Sequence, residues 1–187
     1  MSEDLKNISD YDVYQMLRGD KKMARLAFDE IYARYSQRIY TYCRKIINNK
    51  NFAEDVFQDV FTQLYTSSKE GADIKNLAGF LITMTRNKCY NENIRIANTF
   101  TTLEDVDLSY SDNDLETSEL NKILNLAINS LPEQFKEVIV MKEHLDMSYA
   151  EIAKSIGQSV AAVRIRIYRA KEKLREILIP FLSDLQD

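Results

Sequence analysis

The chain has 187 residues, 45% of them hydrophobic, with 4 Gly, 2 Pro and a formal net charge of −4. That length holds one large domain or two small ones, and that apolar content builds packed cores rather than a disordered chain. So few chain breakers argue against a many-turned β-sandwich or a βαβ fold and for long helices, while the net acidity argues against a protein that simply coats nucleic acid. Cys43 and Cys89 are the only cysteines and His144 is the single histidine, which supports neither a disulfide framework nor a zinc site of ordinary spacing. We expect two partly buried free thiols in a reducing compartment, with no metal and no cofactor. The opening MSEDLKNISDYD is polar and acidic, unlike a signal peptide. No uncharged apolar run approaches the ~20 residues of a bilayer span. The expectation is a cytoplasmic protein without membrane insertion.

Along the chain, three zones separate by charge and periodicity. In the first, Ser9 with Asp12 resembles a helix cap and Gly19 a helix stop. Phe28, Tyr32, Tyr35, Ile39, Cys43 and Ile46 then recur at three- and four-residue steps, which predicts one apolar helix face. Asn51 with Glu54 reads as the next cap, opening a helix whose inner face is Val56, Val60 and Leu64, with Phe57 and Phe61 beside them. The stretch Ser67–Asn76, SSKEGADIKN, reads as a polar loop. A further helix from about Leu77 turns Leu81, Met84 and Phe80 inward and shows Arg86, Asn87, Lys88, Asn91 and Arg95 on its other side.

The second zone, residues 97–119, holds seven carboxylates and no Lys or Arg, so like charge and low hydrophobicity predict a flexible or extended linker. The third zone is helical again. Pro132 suits the first turn of a helix that buries Phe135, Ile139 and Leu145. Ser148 and Glu151 form an S-x-x-E capping box, so a helix should begin at Tyr149 with Ile152, Ala153 and Ile156 inside. Gly157 supplies a tight turn, Ser159 caps a second helix, and Val160, Val163 and Ile167 pack back on the first. A small Ala where two helices cross, Gly four residues on and Val ten residues on is helix-turn-helix spacing. The second helix of such a motif lies in the major groove, which turns Ser159, Ala161, Ala162, Arg164, Ile165 and Tyr168 outward toward base edges. Between Lys154 and Arg175 seven cations face a single anion, Glu172, a local +6 suited to a phosphate backbone. Without the helix-turn-helix spacing, that charge would read as an ordinary solvated helix face.

LPEQFKEVIVMKEHLDMSYAEIAKSIGQSVAAVRIRIYRAKEKLREIL resembles the promoter-binding C-terminal domain of bacterial extracytoplasmic-function sigma factors. AFDEIYARY, AEDVFQDVF and GFLITMTRN resemble their N-terminal domain, and both halves stand in family order. The resemblance implies an all-α chain of two small helical domains, residues 1–96 and 117–187, joined by an acidic flexible linker at 97–116. It implies that the N-terminal domain binds core RNA polymerase through Glu54, Asp55, Gln58, Asp59 and Thr62, which share one polar face opposite Val56, Val60 and Leu64. It implies that the loop Ser67–Asn76, with Lys75 and Asn76, and the helix bearing Phe80, Arg86, Asn87, Lys88, Asn91 and Arg95 read the single-stranded −10 element. There Asn87 would bind a flipped base, an amide being apt for a base splayed from its stack, and Arg86, Lys88 and Arg95 would hold phosphates. In the C-terminal domain Ser159, Ala161, Ala162, Arg164, Ile165, Arg166, Tyr168, Arg169 and Lys171 would read the duplex −35 element. The family usually has a cognate anti-sigma factor, so one is an expected partner, and no enzymatic activity is implied. The sequence departs from the family pattern at Phe80, where Trp is usual, at Asn91 for Asp, at Ala162 for Thr and at Ile165 for a small polar residue, changes that bear on the exact −35 sequence and not on the class.

Two other readings compete. A helix-turn-helix regulator with a helical sensor domain accounts for the C-terminal half equally well, but not for the acidic-faced helix, the basic Asn87 helix or the linker. A helical adaptor that never touches DNA is opposed by the +6 stretch. An enzyme is opposed by the lack of a nucleophile partner for His144 and of a phosphate-cradling glycine loop.

Overall fold

The computed structural model describes residues 5–100 and 119–183. The chain divides into two compact units, Met1–Asp107 and Leu108–Asp187. All regular structure among the described residues is helical.

In the N-terminal unit, α1 (Asp10–Met16), α2 (Lys21–Ile46), α3 (Lys50–Lys69) and α4 (Leu77–Phe100) pack around one core. The first three helices each begin where a side chain satisfies orphan N–H groups of the opening turn. Ser9 accepts from Asp12 N and Asp20 from Met23 N. Asn49 accepts from Asn51 N and Phe52 N, so Asn49 rather than Asn51 is the cap of α3. A cap of this kind contributes about 1 kcal/mol. The core is filled by Val13 and Leu17 of the α1 segment, Ile31 and Ile39 of α2, Val60 and Leu64 of α3, and Leu77 and Leu81 of α4.

The expected α2 stripe holds from Tyr35 onward and shifts before it. Ala24, Ala27 and Ile31 are the buried residues there, and Tyr32 is 42% exposed. Both registers fit a 3.6-residue period, and the small alanines let the helices approach closely. Phe28 and Tyr32 instead join Phe57, Phe61 and Tyr65 in an aromatic cluster between α2 and α3, with ring centroids 5.0 to 6.4 Å apart. Phe80 is half-buried, whereas Leu81 and Met84 are buried as expected. Cys43 and Cys89 are fully buried free thiols with Sγ atoms 3.9 Å apart. The last turn of α4 occupies residues 97–100, and the expected acidic linker beyond it lies outside the described residues.

The C-terminal unit contains α5 (Glu119–Asn129), α6 (Glu133–Ile139), a π turn over Val140–His144, α7 (Tyr149–Ile156) and α8 (Val160–Ser183). Pro132 sits one residue ahead of α6, its carbonyl accepting from Phe135 N and Lys136 N. Ile139 and Leu145 are buried and Phe135 is half-buried. The π turn closes with Leu145 N donating to the Val140 carbonyl at 3.2 Å, and Asp146 then reverses the chain at φ +50. That left-handed conformation is one Asp tolerates better than most residues.

Candidate promoter and polymerase interfaces

The helix-turn-helix forms as its sequence dictates. Ser148 Oγ accepts from Glu151 N at 3.2 Å, and Glu151 Oε2 accepts from Ser148 N at 2.8 Å, a complete capping box. Gly157 takes φ +66, and Gln158 N donates to the Ala153 carbonyl at 2.9 Å. Any residue with a Cβ would be strained at Gly157. Ser159 Oγ then accepts from Ala162 N at 3.1 Å to open α8. Ile152, Ala153, Val163, Ile167 and Ala170 are buried between the helices. Val160, expected inside, is 38% exposed because it is the first residue of α8 and precedes the turn that meets α7.

At 100° per residue, the outward surface of α8 has a centre and two flanks. Ala161, Ile165 and Tyr168 form the centre, with Ile165 54% and Tyr168 66% exposed. Arg164 and Lys171 lie on one flank; Ala162, Arg166 and Arg169 lie on the other. The first flank is already engaged within the unit. The Arg164 guanidinium sits 5.6 Å from the centroid of the Tyr149 ring, and Lys171 Nζ pairs with Glu143 at 2.8 Å. Glu143 accordingly raises the pKa of Lys171, by its hydrogen bond first and its charge second. Further along, Lys173 pairs with Glu176 and Arg175 with Glu172, so part of the basic run is neutralised by neighbours one turn away.

In the N-terminal unit, α3 carries Val56, Val60 and Leu64 inward and leaves Asp55, Gln58, Asp59 and Thr62 exposed, with Glu54 half-buried. Glu54 accepts from Tyr40 Oη at 3.3 Å and Thr62 Oγ1 donates to the Gln58 carbonyl at 3.0 Å. Asp59 forms an ion pair with Lys88 of α4. On α4, Arg95 pairs with Glu92 and lies over the Phe52 ring at 5.3 Å. Glu92 dominates the upward shift of the Arg95 pKa, and Asp55 adds to it.

The residues expected to read the −10 strand therefore fall into three groups. Phe80, Asn87 and Asn91 share one stripe of α4, within roughly 40° of one another. Lys88 and Arg95 lie on a neighbouring stripe that faces the acids of α3. Arg86 lies about 100° round the helix from Asn87, so the structure does not bring it to the same stripe. Before the helix, Lys75 is exposed, and Asn76 is occupied in capping α4, its Oδ1 accepting from Gly79 N at 2.9 Å. Sequence reasoning missed Tyr90 and Ile94, which are 52% and 43% exposed on the side of Asn87 away from Lys88. The signal was there, since an apolar residue off the predicted inner face of a helix calls for an explanation. Among the described residues no three His, Cys, Asp or Glu side chains gather as metal ligands, and no helix is long and apolar enough to cross a membrane.

The chain thus carries a four-helix unit followed by a helix-turn-helix unit. Residues 31–95 match the family model for Sigma-70 region 2, and residues 121–174 match that for Sigma-70, region 4. The ECF RNA polymerase sigma-E factor of Haemophilus influenzae is 27% identical over 184 residues, covering 91% of this chain and 95% of that protein. The RNA polymerase sigma-H factor of Pseudomonas aeruginosa is 26% identical over 186 residues, covering 92% and 94%. The fold is shared with the sigma factor RpoE of Bartonella quintana, solved with the anti-sigma factor NepR, at a TM-score of 0.68, 19% identity and coverage of 81% and 96%. It is shared also with CnrH, solved with the cytosolic domain of CnrY, at a TM-score of 0.67, 24% identity and coverage of 91% and 97%. The chain belongs to the extracytoplasmic-function sigma factors.

Proposed function

We propose that this chain binds core RNA polymerase and directs it to a specific set of promoters, reading the −35 element as duplex through α8 and the −10 element as a displaced single strand through α4 and the loop before it. That loop spans 70–76 rather than the expected 67–76 because α3 continues to Lys69. The observation that carries this reading is the pairing, in one chain and in family order, of region 2 with region 4. A helix-turn-helix regulator with a sensor domain would need only the second. Polymerase docks on the α3 face of Glu54, Asp55, Gln58, Asp59 and Thr62. The factor works in the cytoplasm beside polymerase and performs no catalysis of its own.

The division of labour between an N-terminal unit that ends with α4, the acidic linker expected beyond it and the C-terminal helix-turn-helix unit follows the same reading. Asn87 binds an unstacked base, with Phe80 and Asn91 on its stripe and Tyr90 placed to stack on a neighbouring base; aromatic–base stacking is worth ~1–3 kcal/mol. Lys75, Asn76, Arg86, Lys88 and Arg95 complete the contact with that strand. In the duplex, Ile165 and Tyr168 meet the groove floor, with Ser159, Ala161, Ala162, Arg164, Arg166, Arg169 and Lys171 around them. A sigma factor of the same fold has been solved with an anti-sigma factor, which supports a cognate anti-sigma factor here.

Asn87→Ala tests the −10 assignment. The variant is expected to transcribe poorly from a duplex promoter and to weaken binding of a single-stranded non-template −10 oligonucleotide, with affinity for core polymerase retained. One lost amide-to-base contact should cost on the order of tenfold. Equal transcription by variant and parent would remove Asn87 from the site.

A further inference from the structure

Helix α1 precedes the region 2 match, which begins at residue 31. One of its faces is nevertheless committed to the loop before α4. Tyr11, Tyr14 and Arg18 follow one another at steps of three and four residues, so they rise along a single side of the α1 segment. Tyr14 is 0% exposed, and its hydroxyl donates to the Ala72 carbonyl at 2.9 Å. Arg18 Nη2 donates to the same carbonyl at 2.6 Å, and its guanidinium lies 5.8 Å from the Tyr14 ring centroid. Tyr11 has Asp73 beside it, whose charge and hydrogen bond push the phenol pKa up. The Ala72 carbonyl is thus gripped by two side chains more than fifty positions earlier in the chain.

The grip is itself anchored. Val13 and Leu17 are fully buried. Arg34 of α2 donates to Asp10 at 2.7 Å, to Glu30 at 2.8 Å and to the Leu5 carbonyl at 2.7 Å, while Tyr35 Oη donates to Asp10. On the loop's other side, Ala72 N donates to the Ser67 carbonyl at 3.0 Å, Ile74 is buried, and Asn76 caps α4. Exposed Asp73 and Lys75 are therefore suspended between fixed points. A loop held this way does not have to be ordered when a nucleotide strand arrives, which removes an entropic cost of binding.

We propose that Tyr14 and Arg18 are positioning residues for reading the −10 element: by clamping the Ala72 carbonyl they hold the 72–76 segment where it can meet the displaced strand together with Asn87. This rests on the reading that the loop and Asn87 take that strand. Neither side chain needs to touch DNA. Their effect is on which bases are accepted.

The experiment uses the full-length chain assembled with core polymerase on fork-junction DNA whose single-stranded non-template −10 segment is randomised, bound molecules being sequenced. The variants are Tyr14→Phe, which removes one hydroxyl from an otherwise unchanged ring, Arg18→Ala at an exposed position, the two combined, and Asn87→Ala. The combined variant should lose roughly tenfold of its base preference at one or two −10 positions, each single variant less, as expected for losing one neutral and one charge-assisted hydrogen bond. Preference in the −35 element and affinity for core polymerase should not move. Simple destabilisation would lower the active fraction for every sequence alike and leave base preference intact. Unchanged −10 preference in the combined variant, with a shift in Asn87→Ala, would overturn the clamp and keep the site. No shift in either would overturn both, and a shift in the combined variant alone would keep the clamp and remove Asn87.

Discussion

A chain carrying Asp55→Lys and Asp59→Lys should bind core polymerase on the order of a hundredfold more weakly than the parent, since like charges set against a partner's complementary patch cost several kcal/mol. The two carboxylates are exposed on α3 opposite its buried valines, so helical content should be retained. Stability needs a control because Asp59 already serves Lys88. That pair is 61% exposed on its acidic side, so its loss should cost no more than about 1 kcal/mol. Exchanging the two charges, Asp59→Lys with Lys88→Asp, should restore the pair and the melting temperature but not the affinity for polymerase. Parental affinity in the Asp55/Asp59 reversal would show that polymerase docks elsewhere. Recovery of affinity on exchanging the charges would show that the acids matter only as struts for α4.

The second large effect separates base reading from backbone attraction in α8. Arg164→Ala should relax preference within the −35 element by roughly tenfold, a typical value for losing a bidentate base contact, with little change in the salt dependence of binding. Lys171→Ala should weaken all sequences evenly and reduce the slope of log affinity against log salt by about one. Geometry sharpens the contrast. Both residues lie on the same flank, but Arg164 is in the second turn of the helix with its guanidinium over Tyr149, whereas Lys171 stands two turns later and pairs with Glu143. Lys171 must exchange a carboxylate for a phosphate, so Glu143→Gln should tighten binding modestly and without regard to sequence. A randomised −35 library bound by holoenzyme at several salt concentrations reads all three variants. An unchanged base preference in Arg164→Ala would make Arg164 a backbone contact, leaving the centre of the face to Ile165 and Tyr168.

How far the structure was legible in the sequence follows from how local each determinant is. The helix-turn-helix was read nearly residue by residue because Ser148, Glu151, Gly157 and Ser159 act within four positions of themselves. Caps in a polar run are less determinate: Asn48, Asn49 and Asn51 all qualify, and only the backbone entering α3 selects Asn49. In α2, alanine carries too little hydrophobic signal to tell the register of Ala24, Ala27 and Ile31 from that of Phe28 and Tyr32. The π turn over Val140–His144 and the left-handed Asp146 have no composition to announce them. In the candidate sites, residue types and helix faces were visible, but their engagements were not. Lys88 with Asp59, Lys171 with Glu143, and Tyr14 and Arg18 with Ala72 join positions 28 to 58 apart, and only tertiary packing brings such groups together.

The most direct measurement of the central claim is transcription in vitro by core polymerase, with and without this chain, on a library of genomic fragments from the same organism. Addition of the chain should produce discrete start sites downstream of a shared −35 and −10 pair, and the chain should co-elute with core polymerase. If the chain instead bound DNA fragments by itself, failed to associate with polymerase and yielded no new start sites, it would be acting as a helix-turn-helix regulator, and the account of α3 and α4 would be wrong.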